Sequence, residues 1–234
     1  MAVIYDVHGN LPALEAVLAE VSAEGIDRVV CGGDVALFGA HPAECAARLR
    51  DLGDGLIAVR GNCDRYLLEA SAAPADEADV LRWTQDALGG ELTQWLGGLP
   101  ATAELPDQGA LVVHASPRND EDVILPDSDE AGVREMLAGA TAATILCGHV
   151  HIQYRRRVGS HELVNPGSVG LPSDGDRRSG WAVIEDGAVS FRRTAYDVDG
   201  VIDELNRIGH PTAEQTGDRL RRRSEERRVG KECA

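Results

Sequence analysis

Short apolar runs, each ending in a polar loop, recur through the first part of the chain. Residues 2–5 read AVIY before DVHGN, residues 28–31 read RVVC before GGD, and residues 56–59 read LIAV before RGNCD. Between them, apolar positions fall at helical spacing. Leu11, Leu14, Leu18 and Val21 line one face, the stripe a core-facing helix needs. Asn10 stands where an N-cap belongs, Pro12 suits a first turn, and Gly25 marks a stop. A second helix is predicted through PAECAARLRDL (42–52) and a third from near Arg65. Strands alternating with helices predict a parallel sheet. Ligands of such sheets gather beyond the carboxyl ends of the strands, and all three polar loops fall there.

The pattern then changes. SAAPADEAD (71–79) reads as a surface loop, followed by helical pieces around DVLRWTQDAL (79–88) and ELTQWLGGL (91–99), in which Trp83 and Trp95 are expected to pack. Short strands follow: ALVVH, ATILC, QYRRRV, HELVN, GWAVIE and AVSFRRT. Their short turns predict antiparallel neighbours. The helix DVDGVIDELNRIG (197–209) closes the expected domain.

Neither a repeat nor a long linker divides the chain, so residues 1–222 are expected to form a single domain. Residues 223–234 are set apart. RSEERRVGKEC resembles the translation of a sequencing-adapter oligonucleotide, and Lys231 within it is the sole lysine of the chain. This tail is expected to be an artefact outside the fold.

With 43% hydrophobic and 26% charged residues, the 234-residue chain has the composition of a soluble globular protein. It shows no signal peptide and no membrane span. Five cysteines without a pairing pattern fit a reducing compartment, so a cytoplasmic location is expected. A formal charge of −16 argues against a long nucleic-acid partner, which needs a basic face; 4% aromatic content leaves little for base stacking. A small anionic substrate held through metal ions stays compatible with this charge.

The polar residues stranded at strand ends now matter. They are Asp6 and His8, Asp34, Asn62 and Asp64, His114, and the pair His149 and His151 in CGHVHIQ. Residues two apart on an extended segment point the same way, so His149 and His151 would face one pocket. Gathering carboxylates and imidazoles in a partly dry site is costly unless something pairs them. Divalent cations would do so, and mixed oxygen and imidazole donors suit Mn, Fe or Zn. Two such ions form a clamp for phosphoryl chemistry, and Asp34, central in the set, suits a bridging carboxylate.

The ordered set D-x-H, G-D, G-N-x-D, H and G-H-x-H resembles the calcineurin-like metallophosphoesterases, and NPGSVGLP (165–172) also looks like a segment of that family. The resemblance runs from Tyr5 to beyond Pro172 and is nearest to small bacterial phosphodiesterase-type members. It implies a four-layer α/β/β/α sandwich. It also implies two divalent ions (Mn, Fe, Zn or Ni), one held by Asp6, His8, Asp34 and His151, the other by Asp34, Asn62, His114 and His149. The activity implied is hydrolysis of phosphodiesters or phosphomonoesters in small phosphorylated substrates, with water bridging the ions as nucleophile. Dinucleoside polyphosphates are one candidate substrate.

Cys63 departs from the pattern. Many members carry histidine there, able to protonate the leaving oxygen, whereas a thiol is a weak donor. Cys63 is either loop packing or a sign that leaving groups needing little protonation are preferred. Asp64, the usual support of that histidine, either keeps a catalytic part or caps the helix. Asn10 either contacts substrate phosphate or caps its helix. Arg60 and Arg65 flank the site loop as phosphate binders or surface residues. His41, His161 and His210 are expected at loops or the surface, and Arg155–Arg157 along a strand. The alternatives to this enzyme are a non-catalytic interaction scaffold on the same fold and a nuclease. Oligomeric state is left open.

Overall fold

The computed structural model describes residues 1–221; the tail singled out above lies outside the described residues. Parallel strands β1 (Ala2–Ile4), β2 (Val29–Cys31) and β3 (Leu56–Ala58) alternate with helices α1 (Leu11–Ala23), α2 (Pro42–Arg50) and the short α3 (Asn62–Tyr66). Asn10 caps α1, its Oδ1 accepting from the Ala13 amide at 3.2 Å. The third helix opens at Asn62, ahead of the expected Arg65, because the Asp64 carboxylate accepts the Gly61 amide and closes the first turn there. The helix α4 (Ala78–Gly97) breaks at Gly89, whose φ of 68° leaves the helical region, so the two expected pieces are one element with a kink.

A second sheet is built from β4 (Thr102–Leu105), β5 (Ala110–Val113), β6 (Thr144–Leu146), β7 (Gln153–Val158) and β8 (His161–Pro166), in the order β4-β5-β6-β8-β7. Antiparallel neighbours, as expected, occur at β4–β5 and in the later hairpins, but not throughout. The hairpin β7–β8 is antiparallel, but β5, β6 and β8 run parallel. The link from β5 to β6 carries α5 (Glu130–Met136), long enough for a crossover, and β7 is interposed before β8 returns beside β6. Strands β9 (Ser179–Glu185) and β10 (Ala188–Thr194) then go back to the first sheet, giving β10-β9-β1-β2-β3. The chain continues into α6 (Val198–Arg207) and α7 (Ala213–Arg221), the latter beyond the expected closing helix.

Alternation along each strand decides the layers. Val3, Tyr5, Val30 and Ile184 face Val112, Leu146 and Val164 between the sheets. Ile4, Cys31 and Trp181 point the other way, onto Leu14, Val17 and Leu18 of α1 and Cys45 and Leu49 of α2. Ile145 and Leu163 of the second sheet pack outward on Val133 of α5 and Leu137. The result is the four-layer helix–sheet–sheet–helix sandwich, each buried aliphatic side chain contributing ~1.5–3 kcal/mol. Tyr5 ties the two sheets. Its hydroxyl lies 2.7 Å from the Leu146 carbonyl and 3.0 Å from that of Val113, one proton serving both. No helix among the described residues is long and apolar enough to cross a membrane.

Candidate metal centre

Every residue of the motif set follows a parallel strand: Asp6 and His8 after β1, Asp34 after β2, Asn62 after β3, His114 after β5, and His149 and His151 after β6. The carboxyl ends of both sheets open on one edge, so the side chains converge there. Asp6, His8 and His151 form one group and Asp34, His114 and His149 another, with donor atoms of each group within 4.8 Å of one another. Asp34 stands between them: its Oδ2 is 3.8 Å from His8 Nε2 and 3.5 Å from His114 Nε2. Asn62 joins the second group through Oδ1, 3.1 Å from His114 Nε2.

Proton bookkeeping tests whether cations fit here. A backbone carbonyl only accepts, so the Nδ1 of His8 must donate to Leu37, that of His114 to Gly32, and that of His151 to Leu171. The neutral rings of His8 and His151 then turn bare Nε2 lone pairs inward, only 3.1 Å apart. His114 turns its Nε2 to the oxygens of Asn62 and Asp34, a contact that needs a proton or a cation between nitrogen and oxygen. Asp6 Oδ1 is buried with no hydrogen-bond partner among the described residues. Lone pairs facing lone pairs around an orphaned carboxylate oxygen repel unless protons or cations lie between them, and imidazoles anchored through Nδ1 to carbonyls are oriented as metal ligands commonly are. The donor set fits a pair of divalent ions.

Titration tendencies agree. Burial pushes Asp6 up to about 8, against the pull of His114 and with the push of Asp34. Burial would likewise raise Asp34, but His114 outweighs it and holds that carboxyl well below the usual range. Burial would lower His114, yet the Asp34 charge takes it up to about 10. Burial lowers His8 to about 4 and lowers His149 and His151 as well.

The backbone bears a cost at these positions. Asp6, His8, Asp34, His149 and His151 all have positive φ, between 49° and 66°, a region costing non-glycine residues ~1–2 kcal/mol each. Neighbouring segments impose it. Asp64 accepts the amides of Asp34 at 2.7 Å and Val35 at 3.0 Å, which fixes the GGD loop. Ser168 Oγ and the Gly170 amide both donate to the Asp6 carbonyl, so the NPGSVGLP segment braces the first loop. Gly148 permits a close approach, since a Cβ there would meet the Tyr5 ring and stand 2.9 Å from Asp6 Oδ2.

The other sequence candidates sort differently. Cys63 lines the cleft, with its sulfur in a group with His8 and Asp34; burial pushes its thiol well above the ordinary value. Asn10 does not reach the cleft. It is 3% exposed, its amide group donates to the Gly170 carbonyl, and its oxygen is used by the cap. Arg65 pairs with Asp120 and Glu121, and Arg60 donates to the Gly97 carbonyl. His210, expected at a loop or the surface, is 4% exposed and packs edge-on against Trp83 at 4.4 Å between ring centres.

The cleft over the site has a volume of about 460 Å³. Sequence reasoning missed part of its wall: Asp76 and Glu77 before α4, Ser173, and Thr216 and Arg219 of α7. Only the four-residue spacing of Thr216 and Leu220, both buried, hints at a packed helix there.

A family model described as the calcineurin-like phosphoesterase superfamily domain matches residues 1–186. An uncharacterized protein of Methanocaldococcus jannaschii is 30% identical over 249 residues, covering 94% of this chain and 96% of its own. Phosphodiesterase YfcE of Escherichia coli is 29% identical over 182 residues, covering 74% of this chain and 81% of its own. The crystal structure of a metallophosphoesterase from Sphaerobacter thermophilus is similar with a TM-score of 0.78 at 28% identity, covering 94% of this chain and 96% of that one.

Proposed function

The chain belongs to the calcineurin-like phosphoesterase superfamily and is a metal-dependent phosphoester hydrolase; from that premise we propose that Asp6, His8, Asp34, Asn62, His114, His149 and His151 hold its two divalent ions. Asp6, His8 and His151 would serve one ion, Asn62, His114 and His149 the other, and Asp34 both. The observation that carries this reading is the set of anchored imidazoles whose free nitrogens face one another and the unpartnered Asp6 Oδ1. Nitrogen and oxygen donors without clustered thiolates suit Mn, Fe, Zn or Ni.

When bound, such an ion pair supplies charge neutralisation at the phosphoryl oxygens and a water of lowered pKa. The protein supplies the geometry. Asp64, with three backbone amides on its carboxylate, holds the Asp34 and Asn62 loops in register. Leu37, Gly32 and Leu171 carbonyls fix the ring orientations. Asn10 acts through its cap and its bond to Gly170. Cys63, its thiol kept protonated by burial, donates weakly. General-acid help, worth ~10²–10⁴-fold elsewhere, is therefore small, and leaving groups that depart without a proton are favoured. Substrates are small phosphorylated molecules, phosphodiesters first, since a YfcE relative carries that activity in its name. Free Cys31, Cys45, Cys63 and Cys147 support work in a reducing cytoplasm. Residues 1–222 are read as one working domain.

The test is hydrolysis of bis(4-nitrophenyl) phosphate by chelator-treated protein with and without added Mn(II). Activity is expected only with metal, and Asp34→Asn should lower kcat/KM by ~10²-fold or more. A matched simple alkyl diester should be cleaved far more slowly. Metal-independent turnover, or an active Asp34→Asn protein, would remove the proposal.

A further inference from the structure

The family match ends at residue 186, yet the cleft does not. Helices α6 and α7 pack through Val201, Ile202, Leu205 and Leu220 onto Leu171, with Phe38 against the same cluster. That packing carries Thr216 and Arg219 to the cleft wall. Arg219 Nε and Nη2 donate to Ser173 Oγ at 3.0 and 2.9 Å, and Nη2 stands 3.0 Å from His151 Nδ1. Because that nitrogen already donates to Leu171, the guanidinium abuts the ring edge instead of bonding to it. Among the described residues, Arg219 is the sole arginine or lysine lining the cleft. Asp76 and Glu77 also line it, and Glu77 Oε2 is buried without a partner among the described residues.

A substrate phosphoryl group is an anionic hydrogen-bond acceptor, and a planar guanidinium suits its oxygens. The acidic side chains elsewhere in the cleft repel an anion, so the phosphoryl group is driven toward α7. Resting on the phosphoesterase reading above, we propose that Arg219 is a substrate-positioning residue that binds phosphoryl oxygens not held by the ions. The α6–α7 extension thereby forms a recognition wall added to the family domain. Ser173 braces the guanidinium from below, as its hydroxyl accepts two of the guanidinium N–H groups.

Calorimetric titration of inorganic phosphate into the Mn(II)-loaded protein tests this, together with steady-state kinetics on bis(4-nitrophenyl) phosphate. Arg219→Ala should weaken phosphate binding ~10-fold to 100-fold, the range for a hydrogen bond to a charged group. KM should rise alongside, with kcat within about threefold and Mn(II) affinity unchanged. Arg219→Lys, keeping charge but losing the fork, should fall between. Arg219→Gln carries the same expectation as alanine if the shorter side chain unfolds the protein. Unchanged phosphate affinity and KM would overturn the proposal. So would loss of Mn(II) affinity together with kcat, because Arg219 would then be only a prop for His151. A wild-type protein that binds no Mn(II) and hydrolyses nothing would instead bring down the phosphoesterase reading, and this inference with it.

Discussion

Protons and metal ions compete for the same atoms at this site. Burial pushes Asp6 up to about 8, and the Asp34 charge outweighs burial to take His114 up to about 10. Below roughly pH 8 the metal-free protein thus holds protons on groups that must lose them to bind a cation. The sign follows directly: apparent Mn(II) affinity should rise with pH through that window, with proton release on binding. Titration calorimetry in two buffers of different ionisation enthalpy measures the release; a pH-independent affinity would count against Asp6 and His114 as ligands. The motif residues could be picked out of the sequence because each is a polar side chain directly following an apolar run. Arg219 could not, since one arginine among many on a polar helix carries no pattern until the fold sets it beside His151. Asn10 stayed open between two readings for a related reason: a capping asparagine and a phosphate-binding one look alike until the partners of both amide atoms are known.

At the scale of elements, the left-handed residues at the ends of β1, β2 and β6 exist because neighbouring segments over-determine them. Gly148 shows how little slack remains. Gly148→Ala would drive a methyl into the Tyr5 ring and toward Asp6, so overpacking should cost ~1–3 kcal/mol and displace the loop bearing His149 and His151. Urea unfolding should show the loss of stability and a Mn(II) titration the weakened binding; a variant matching wild type in both would contradict this account. The first strand–helix pairs were legible because short unbroken apolar runs alternate with an apolar stripe recurring near every fourth residue. The parallel pairing of β5, β6 and β8 was not, because strand direction depends on which edge a returning strand meets, and local turn length is silent about that. The kink at Gly89 was legible as a pause between two helical patterns.

On the scale of the whole molecule, the centre straddles the sandwich: Asp6, His8, Asp34 and Asn62 come from one sheet, His114, His149 and His151 from the other. Ions bound there join the sheets as Tyr5 does from within. Mn(II) at a hundred times its dissociation constant should therefore stabilise the fold by ~2.7 kcal/mol, through binding to the native state alone. Unfolding midpoints with Mn(II) and with chelator measure this, and coincident midpoints would speak against a site spanning both sheets. The order β10-β9-β1-β2-β3 has a consequence during synthesis. On the ribosome β1 emerges well before its partner β9, which is translated only after every strand of the second sheet. Until then the nascent chain keeps a bare apolar strand edge, open to wrong partners and to chaperones that shield such edges.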